Sequence, residues 1–277
     1  LPVLAAGLAL AAAAAWGSGD FAGGLSARRI GALPTLFISY TIGLGLLLAL
    51  ILGSGEQMPP PADLAWGAVA GLAGMAGFGF LYRGFAVGRM GIVAPVSAVL
   101  SAAVPVLYTA ITEGLPGWVQ IGGFTLALIS IWLLSRPEPF SGPPAGLGMA
   151  LLAGLGFGCF FTTLAQVSDS TVFWPLASGR LVACALMAVY LLSRRRPLIP
   201  QHAPLGLLLL AGALDEAGNL LFLLATQIGR LDVSAVLSSL YPAVTALLAV
   251  WIARERMVRL QVLGILVAFT AIVLITS

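Results

Sequence analysis

Ten apolar stretches, each 17 to 25 residues long, follow one another along the chain with only short polar breaks between them. They cover 2–26, 33–52, 64–86, 91–112 and 118–134 in the first half, and 145–166, 172–192, 204–228, 233–253 and 259–276 in the second. A hydrocarbon core about 30 Å thick takes roughly 20 helical residues per crossing. Ten crossings with short connections therefore use nearly all 277 residues. Composition agrees, since 60% of the residues are hydrophobic and 8% charged, a balance foreign to soluble domains of this size. Breaks such as GSGEQMPPPAD (53–63) and SRPEPFSGPP (135–144) are rich in Pro and Gly, cannot continue a helix and are too short to fold alone. The expected fold class is an all-α polytopic membrane protein with ten transmembrane helices and no soluble domain.

The net charge of +3 does not point to nucleic acid, because the chain has no Lys and its arginines stand singly or in short clusters between apolar runs. Their distribution is one-sided. Breaks after odd-numbered spans hold Arg28, Arg29, Arg83, Arg89, Arg136, Arg194, Arg195, Arg196, Arg254, Arg256 and Arg259, whereas those after even-numbered spans hold only Arg230. Short cytoplasmic loops collect positive charge, so this rule makes the odd loops cytoplasmic and turns both termini outward. Cys159 and Cys184 both lie inside apolar runs, where small packing residues are expected rather than a disulfide or a metal pair. The opening run, 1–16, lacks the basic leading segment of a signal peptide and is expected to be a retained helix.

The two halves resemble each other. AGL at 6–8 recurs at 145–147, and WGSGDF (16–21) faces LGFGCF (155–160), all at an offset of 139, so that Gly17, Gly19 and Phe21 pair with Gly156, Gly158 and Phe160. GRM (88–90) pairs with GRL (229–231) at 141, and Glu113 with Gly122 pairs with Glu255 and Gly264 at 142. The chain reads as a first five-helix unit, 1–137, and a second, 138–277. Five is odd, so the second copy enters the membrane from the opposite side, giving two inverted repeats (5+5), an architecture suited to alternating access around a shared site. GxxxG spacings at Gly19/Gly23, Gly67/Gly71 and Gly154/Gly158 are expected to let helices pack closely.

The paired WGSGDF-type element in spans 1 and 6, Arg180 in span 7 and the closing ARERMVRLQVLGILVAFTAIVLI (253–275) resemble the drug/metabolite transporter superfamily, in particular its EamA-type exporters. A glutamate followed nine residues later by glycine stands in both halves, and Tyr241-Pro242 matches the proline of span 9; in the first half Leu100 stands there instead, between Pro95 and Pro105. Within that superfamily the chain looks most like the YddG-type amino-acid exporters. The resemblance implies export of aromatic and other neutral amino acids from a bacterial cell across its inner membrane. It also implies cytoplasmic termini, in opposition to the arginine distribution, which is taken here as the primary evidence.

An ionisable side chain at membrane depth is costly unless it lies in a polar cavity. Span 8, LLLLAGALDEAGNLLFLLATQ, puts Asp215 and Glu216 near its middle, followed by Asn219. At helical spacing Asp215 and Asn219 share a face, while Glu216 lies about 100° round. Arg180 in span 7 is the nearest counter-charge, in a pair that either serves a substrate or fixes helix registry. An amino acid needs an anionic pole for its ammonium, which Asp215 or Glu216 supplies, and a cationic one for its carboxylate, which Arg180 or a helix N-terminus supplies. Phe78, Tyr82, Phe157, Phe161 and Trp16 are candidates for the wall around its side chain, with lipid-facing or core positions as the alternative. Ser97 and Ser101 in span 4 and Ser238 and Ser239 in span 9 are candidate binding hydroxyls, or else satisfy their own helices. Asp20, late in span 1, either faces the cavity or pairs with Arg83.

A secondary transporter is thus the leading expectation, with a multidrug or other metabolite carrier of the same superfamily as the alternative. A membrane enzyme has less support: Gly17-Ser18-Gly19 offers a serine in a glycine-flanked setting, but the single histidine, His202, falls in a loop, and no HExxH or phosphate-cradling motif occurs. A channel or scaffold is disfavoured by the repeat. No cofactor or metal is implied; the expected partners are a small-molecule substrate and membrane lipid, with no nucleic acid and a monomeric state.

Overall fold

The computed structural model describes residues 2–87, 90–134, 146–252 and 259–276. Arg89, Arg136, Arg254, Glu255 and Arg256 lie outside them, as does the side chain of Tyr82. Among the described residues the chain forms eleven helices: α1 (Pro2–Ile30), α2 (Ala32–Ser54), α3 (Pro61–Val87), α4 (Met90–Thr112), α5 (Trp118–Leu134), α6 (Leu147–Leu164), α7 (Phe173–Ser193), α8 (Leu205–Ile228), α9 (Leu231–Ser238), α10 (Tyr241–Trp251) and α11 (Arg259–Thr276). All-helical structure follows from the solvent, because a chain in hydrocarbon must satisfy each backbone N–H and C=O within itself. Helices α1, α2, α3, α6, α7 and α8 each contain a stretch long and apolar enough to cross a bilayer. The helices α4, α5 and α11 and the pair α9–α10 complete the ten crossings.

Span 9, expected as one helix, is two. The break falls at Ser239 and Leu240, where the Leu240 N–H bonds to Leu237 O in a tightened turn and Ala243 N–H to Leu240 O. Pro242 lacks an N–H for the Ser238 carbonyl, which ends the regular ladder there. Span 1 runs on to Ile30, past its expected end, and stops at Gly31, whose φ of 86° only glycine adopts readily.

Polarity is arranged inside out. Leu46, Leu48, Leu50, Leu52, Leu181, Leu186, Leu209 and Leu266 are exposed on the outer surface, while Arg180, Glu216 and Asn219 are 6%, 4% and 5% exposed. Such a surface suits lipid and would aggregate in water. Cys184 is buried beside Thr41, its Sγ 3.8 Å from the hydroxyl, as a packing residue should be. Cys159 corrects that expectation: it is exposed on the outer face of α6.

The interfaces obey the repeat. Helix α1 packs along α8 and against α9 and α10, and its counterpart α6 packs along α3 and against α4. Contact of α3 with α7 is mirrored by α8 with α2, and α5 with α11, α2 with α7 and α4 with α9 pair counterparts directly. Nearly all the main interfaces join one half to the other. Glycines make this possible. A Cβ on Gly67 would overlap the Pro175 carbonyl, and one on Gly71 the backbone of Gly179, so α3 and α7 touch main chain to main chain. A Cβ on Gly154 would come 2.7 Å from Ser97 O and one on Gly156 2.8 Å from Gly77 Cα, which seats α6 against α4 and α3. Inside a membrane no water is expelled when helices meet, so close van der Waals contact between small residues carries the association.

At one end of the molecule two carboxylates tie the halves together. Glu56, after α2, accepts hydrogen bonds from the backbone N–H groups of Val172, Phe173 and Trp174 at 2.6 to 3.3 Å, capping the N-terminus of α7. Asp63 accepts from the Ser168 N–H at 3.0 Å and its hydroxyl at 2.7 Å. Arg230, the single arginine of the even loops, is chelated by Asp232 at 2.9 and 3.1 Å. The exposed Arg29, Arg83, Arg194, Arg195, Arg196 and Arg259 all fall in the odd-numbered connections or at the helix ends beside them.

Gly71→Leu should cost about 1–3 kcal/mol of stability through overpacking, read as a lower thermal unfolding midpoint in detergent. Gly79→Ala, whose new Cβ meets nothing within 4 Å, should leave the midpoint unchanged. Glu56→Ala should cost about 0.5–2 kcal/mol, the usual loss on removing a helix cap, in the same measurement.

Candidate functional site

Three features of α8 and its neighbours define a centre. Asp215 and Asn219, one turn apart on α8, face an interior cavity whose walls come from α1, α2, α3, α4, α6, α7, α8 and α10. Glu216, about 100° round the same helix, points away from the cavity and toward Gly43 of α2, where a Cβ would approach its Oε2 to 2.8 Å. Arg180 of α7 holds both acids. Its Nη2 donates to Asp215 Oδ2 at 2.5 Å and its Nε to Glu216 Oε2 at 2.6 Å.

The clamp runs across α2, which separates α7 from α8. Tyr40 lies beneath the guanidinium, its ring centroid 3.9 Å from the Arg180 Cζ, and Gly43, three residues on, leaves room for the carboxylate. A planar, permanently charged fork with an aromatic face below it suits arginine and no other side chain. Removing either partner would strand a charge in low dielectric, which is why such a group is strongly held once formed.

Aromatic side chains furnish the rest of the wall. Trp16 of α1 donates from Nε1 to the Asp215 carbonyl and to Asn219 Oδ1, both at 3.2 Å, and packs against Phe161 and Phe222 at centroid distances of 5.6 and 5.8 Å. Gly218 admits that indole, since a Cβ there would overlap its ring. Phe78 meets Phe157 edge to face at 4.9 Å, and Phe160, Tyr40 and Tyr241 complete the lining together with Asp20.

Of the expected site residues, Trp16, Phe78, Ser101, Phe157, Phe161, Arg180, Asp215 and Asn219 come together around this cavity. Glu216 stands behind it as the second partner of Arg180. Ser97 is fully buried where α4 meets α6. Ser238 donates to the Ala9 carbonyl and Ser239 is fully buried at the α9–α10 break, so neither hydroxyl lines the cavity. Tyr82 belongs to α3, but its side chain is outside the described residues. Asp20 takes the cavity-facing alternative, and Arg83 is exposed. Tyr40, Phe160 and Tyr241 were not among the expected site residues. In sequence Tyr40 is a single aromatic in an apolar run, while Phe160 was set apart only as the repeat partner of Phe21 and Tyr241 only by the proline after it.

An interior cavity between two interlocked halves, with one charged pole and an aromatic wall, belongs to the class of membrane carriers built from inverted repeats. Residues 3–136 and 144–277 each match the EamA-like transporter family, and the chain belongs to that family. No curated protein matches it by sequence. A solved structure titled "Crystal structure of protein" shares the fold with a TM-score of 0.78 at 18% identity, over 98% of this chain and 95% of that one.

Arg180→Met should cost about 3–5 kcal/mol by stranding Asp215 and Glu216, seen as a lower unfolding midpoint in detergent. The triple variant with Asp215→Asn and Glu216→Gln should recover part of the loss, because it leaves no unpaired charge from this group.

Proposed function

We propose that this protein exports small organic metabolites bearing an ammonium group, foremost aromatic and other neutral amino acids, across a bacterial inner membrane. The observation that carries this reading is the pairing, in one cavity, of a charged pole made by Asp20, Asp215 and Arg180 with a wall of Trp16, Phe78, Phe157, Phe160 and Phe161. An amino-acid ammonium is attracted to the carboxylates, its carboxylate to the guanidinium, and an apolar side chain gains from the aromatic surface. Alternating access follows from the exchangeable halves: the same site opens to one side, then to the other, as helices slide at their glycine contacts. The YddG-type resemblance supports the same substrate class. The arginine-rich ends are read as cytoplasmic.

A multidrug carrier is the second reading, favoured by the breadth of the aromatic wall, which tolerates many apolar shapes. The reading as an enzyme finds no support in the Gly17-Ser18-Gly19 element: the Ser18 hydroxyl donates to the Ala14 carbonyl of its own helix, and Gly17 and Gly19 serve contacts with α10 and α8.

Purified protein in liposomes should show saturable counterflow of labelled phenylalanine, inhibited by other neutral amino acids. Phe157→Ala should raise the half-saturation concentration about tenfold, the equivalent of an aromatic contact worth about 1.4 kcal/mol. If neutral amino acids neither cross nor compete while apolar drugs do, the second reading replaces the first.

A further inference from the structure

The repeat gives each end of the cavity a counterpart seam, α3 on α7 at one end and α8 on α2 at the other. The two seams are built differently. At the offset of 141, Gly67 and Gly71 of α3 correspond to Leu208 and Gly212 of α8, and Pro175 of α7 to Pro34 of α2. Gly67 lies against the Pro175 carbonyl, where any Cβ would collide, whereas Leu208 brings a full, buried side chain to the corresponding position. Toward the α3–α7 seam, Phe161, Leu164 and Leu176 line the cavity and are buried, packing with Val167 and Leu231 into one apolar cluster. Toward the other seam, Asp20 and Phe78 line it and are only half-buried.

A polar staple lies over the closed seam. The Glu56 carboxylate, just before α3, accepts from the N–H groups of Val172, Phe173 and Trp174 at 2.6 to 3.3 Å and from the Thr171 hydroxyl at 3.3 Å. Asp63, in the first turn of α3, accepts from the Ser168 N–H and hydroxyl at 3.0 and 2.7 Å, and the Ser178 hydroxyl of α7 donates to the Leu64 carbonyl at 2.8 Å. From the end of α8, Gln227 Nε2 donates to the Ser168 and Thr171 carbonyls at 3.2 and 3.1 Å. Hydrogen bonds to an ionised carboxylate are about twice as strong as neutral ones, and a helix N-terminus favours the negative charge. At the opposite end the counterparts of Glu56 and Asp63 are Pro197 and Pro204, and 194–204 contains no Asp or Glu. Helix α2, the counterpart of α7, begins at Gly31 with no side-chain cap among the described residues.

We propose that the α3–α7 seam is a gate latched by Glu56 and Asp63, and that this one-ended latch makes the carrier rest with that end shut and the cavity open toward the arginine-bearing connections. This rests on the carrier reading above and adds the rest position of its cycle. In a carrier made of two inverted repeats, exchange of access gives each seam the arrangement its counterpart had. Like seams would leave the two states equally populated. Bonds made in one state only shift the equilibrium toward that state by their own free energy. Opening the latched end parts the Glu56 carboxylate from α7, so these two acids set the rest position without touching substrate.

The test uses the full chain in lipid nanodiscs, with Cys159→Ser and Cys184→Ser as background and spin labels in pairs, read by double electron–electron resonance without substrate. One pair, Ala65→Cys with Asp169→Cys, spans the latched seam; the other, Arg29→Cys with Gly206→Cys, spans its counterpart. All four positions are exposed. With the latch intact, each pair should show one dominant distance, the first pair's being that of the shut seam. Glu56→Gln with Asp63→Asn should add a longer distance at the first pair and, in step, a shorter one at the second, the ratio of the two states changing about tenfold. Asp63→Asn alone keeps an acceptor for Ser168 and should shift the ratio less. A double variant that keeps both original distributions, whatever its unfolding midpoint, overturns the latch and leaves these acids as helix caps only. Lengthening at the first pair with no change at the second is local fraying and overturns the link to exchange of access. Both outcomes are read without substrate and stand apart from phenylalanine counterflow in liposomes, whose absence overturns the amino-acid reading instead.

Discussion

Helices in a lipid solvent gain nothing from hiding apolar surface from one another, and what holds this molecule together is the closeness with which its backbones meet. Gly67 and Gly71 of α3 against Pro175 and Gly179 of α7, and Gly77 against Gly156 where α3 meets α6, bring main chains to distances at which one added methyl would collide. All of these contacts join the first half to the second. The cavity is a consequence, since it occupies the space the interlocked helices enclose between those lines of contact.

The polar centre depends on the same device. Arg180 reaches Glu216 across α2 because Gly43 has no side chain, and Trp16 reaches Asn219 because Gly218 has none. Both glycines exchange a small packing loss for a hydrogen bond inside low dielectric, where each polar group must find a partner. The result is a charged pole in which Arg180 holds both acids of α8, and a wall of rings of which Trp16 is tied to α8 through its indole N–H.

Much of this was legible along the chain. The spans 118–134 and 259–276 coincide with α5 and α11, and the one-turn spacing of Asp215 and Asn219 did place them on a common face with Glu216 turned aside. These features depend on local periodicity and solvent, which a linear reading captures. Span 9 was misjudged because a proline's effect on a helix depends on its setting: Pro105 sits inside an unbroken α4, while Pro242 follows a break. The serines of spans 4 and 9 were equally ambiguous, because a hydroxyl one residue further along a helix faces another neighbour altogether.

The sequence by itself determined that the chain crosses a membrane about ten times, that its halves are related and that acids and an arginine lie at depth, since hydropathy, spacing and charge are properties of the chain alone. Tertiary structure decided which of those groups meet. Tyr40 under Arg180, the Glu56 cap on α7 and the approach of Gly19 to the Asp215 backbone join residues far apart in sequence. Their proximity is set by how closely glycine-bearing helices can approach, a quantity fixed by shape on both sides of a contact and therefore invisible in either segment read alone.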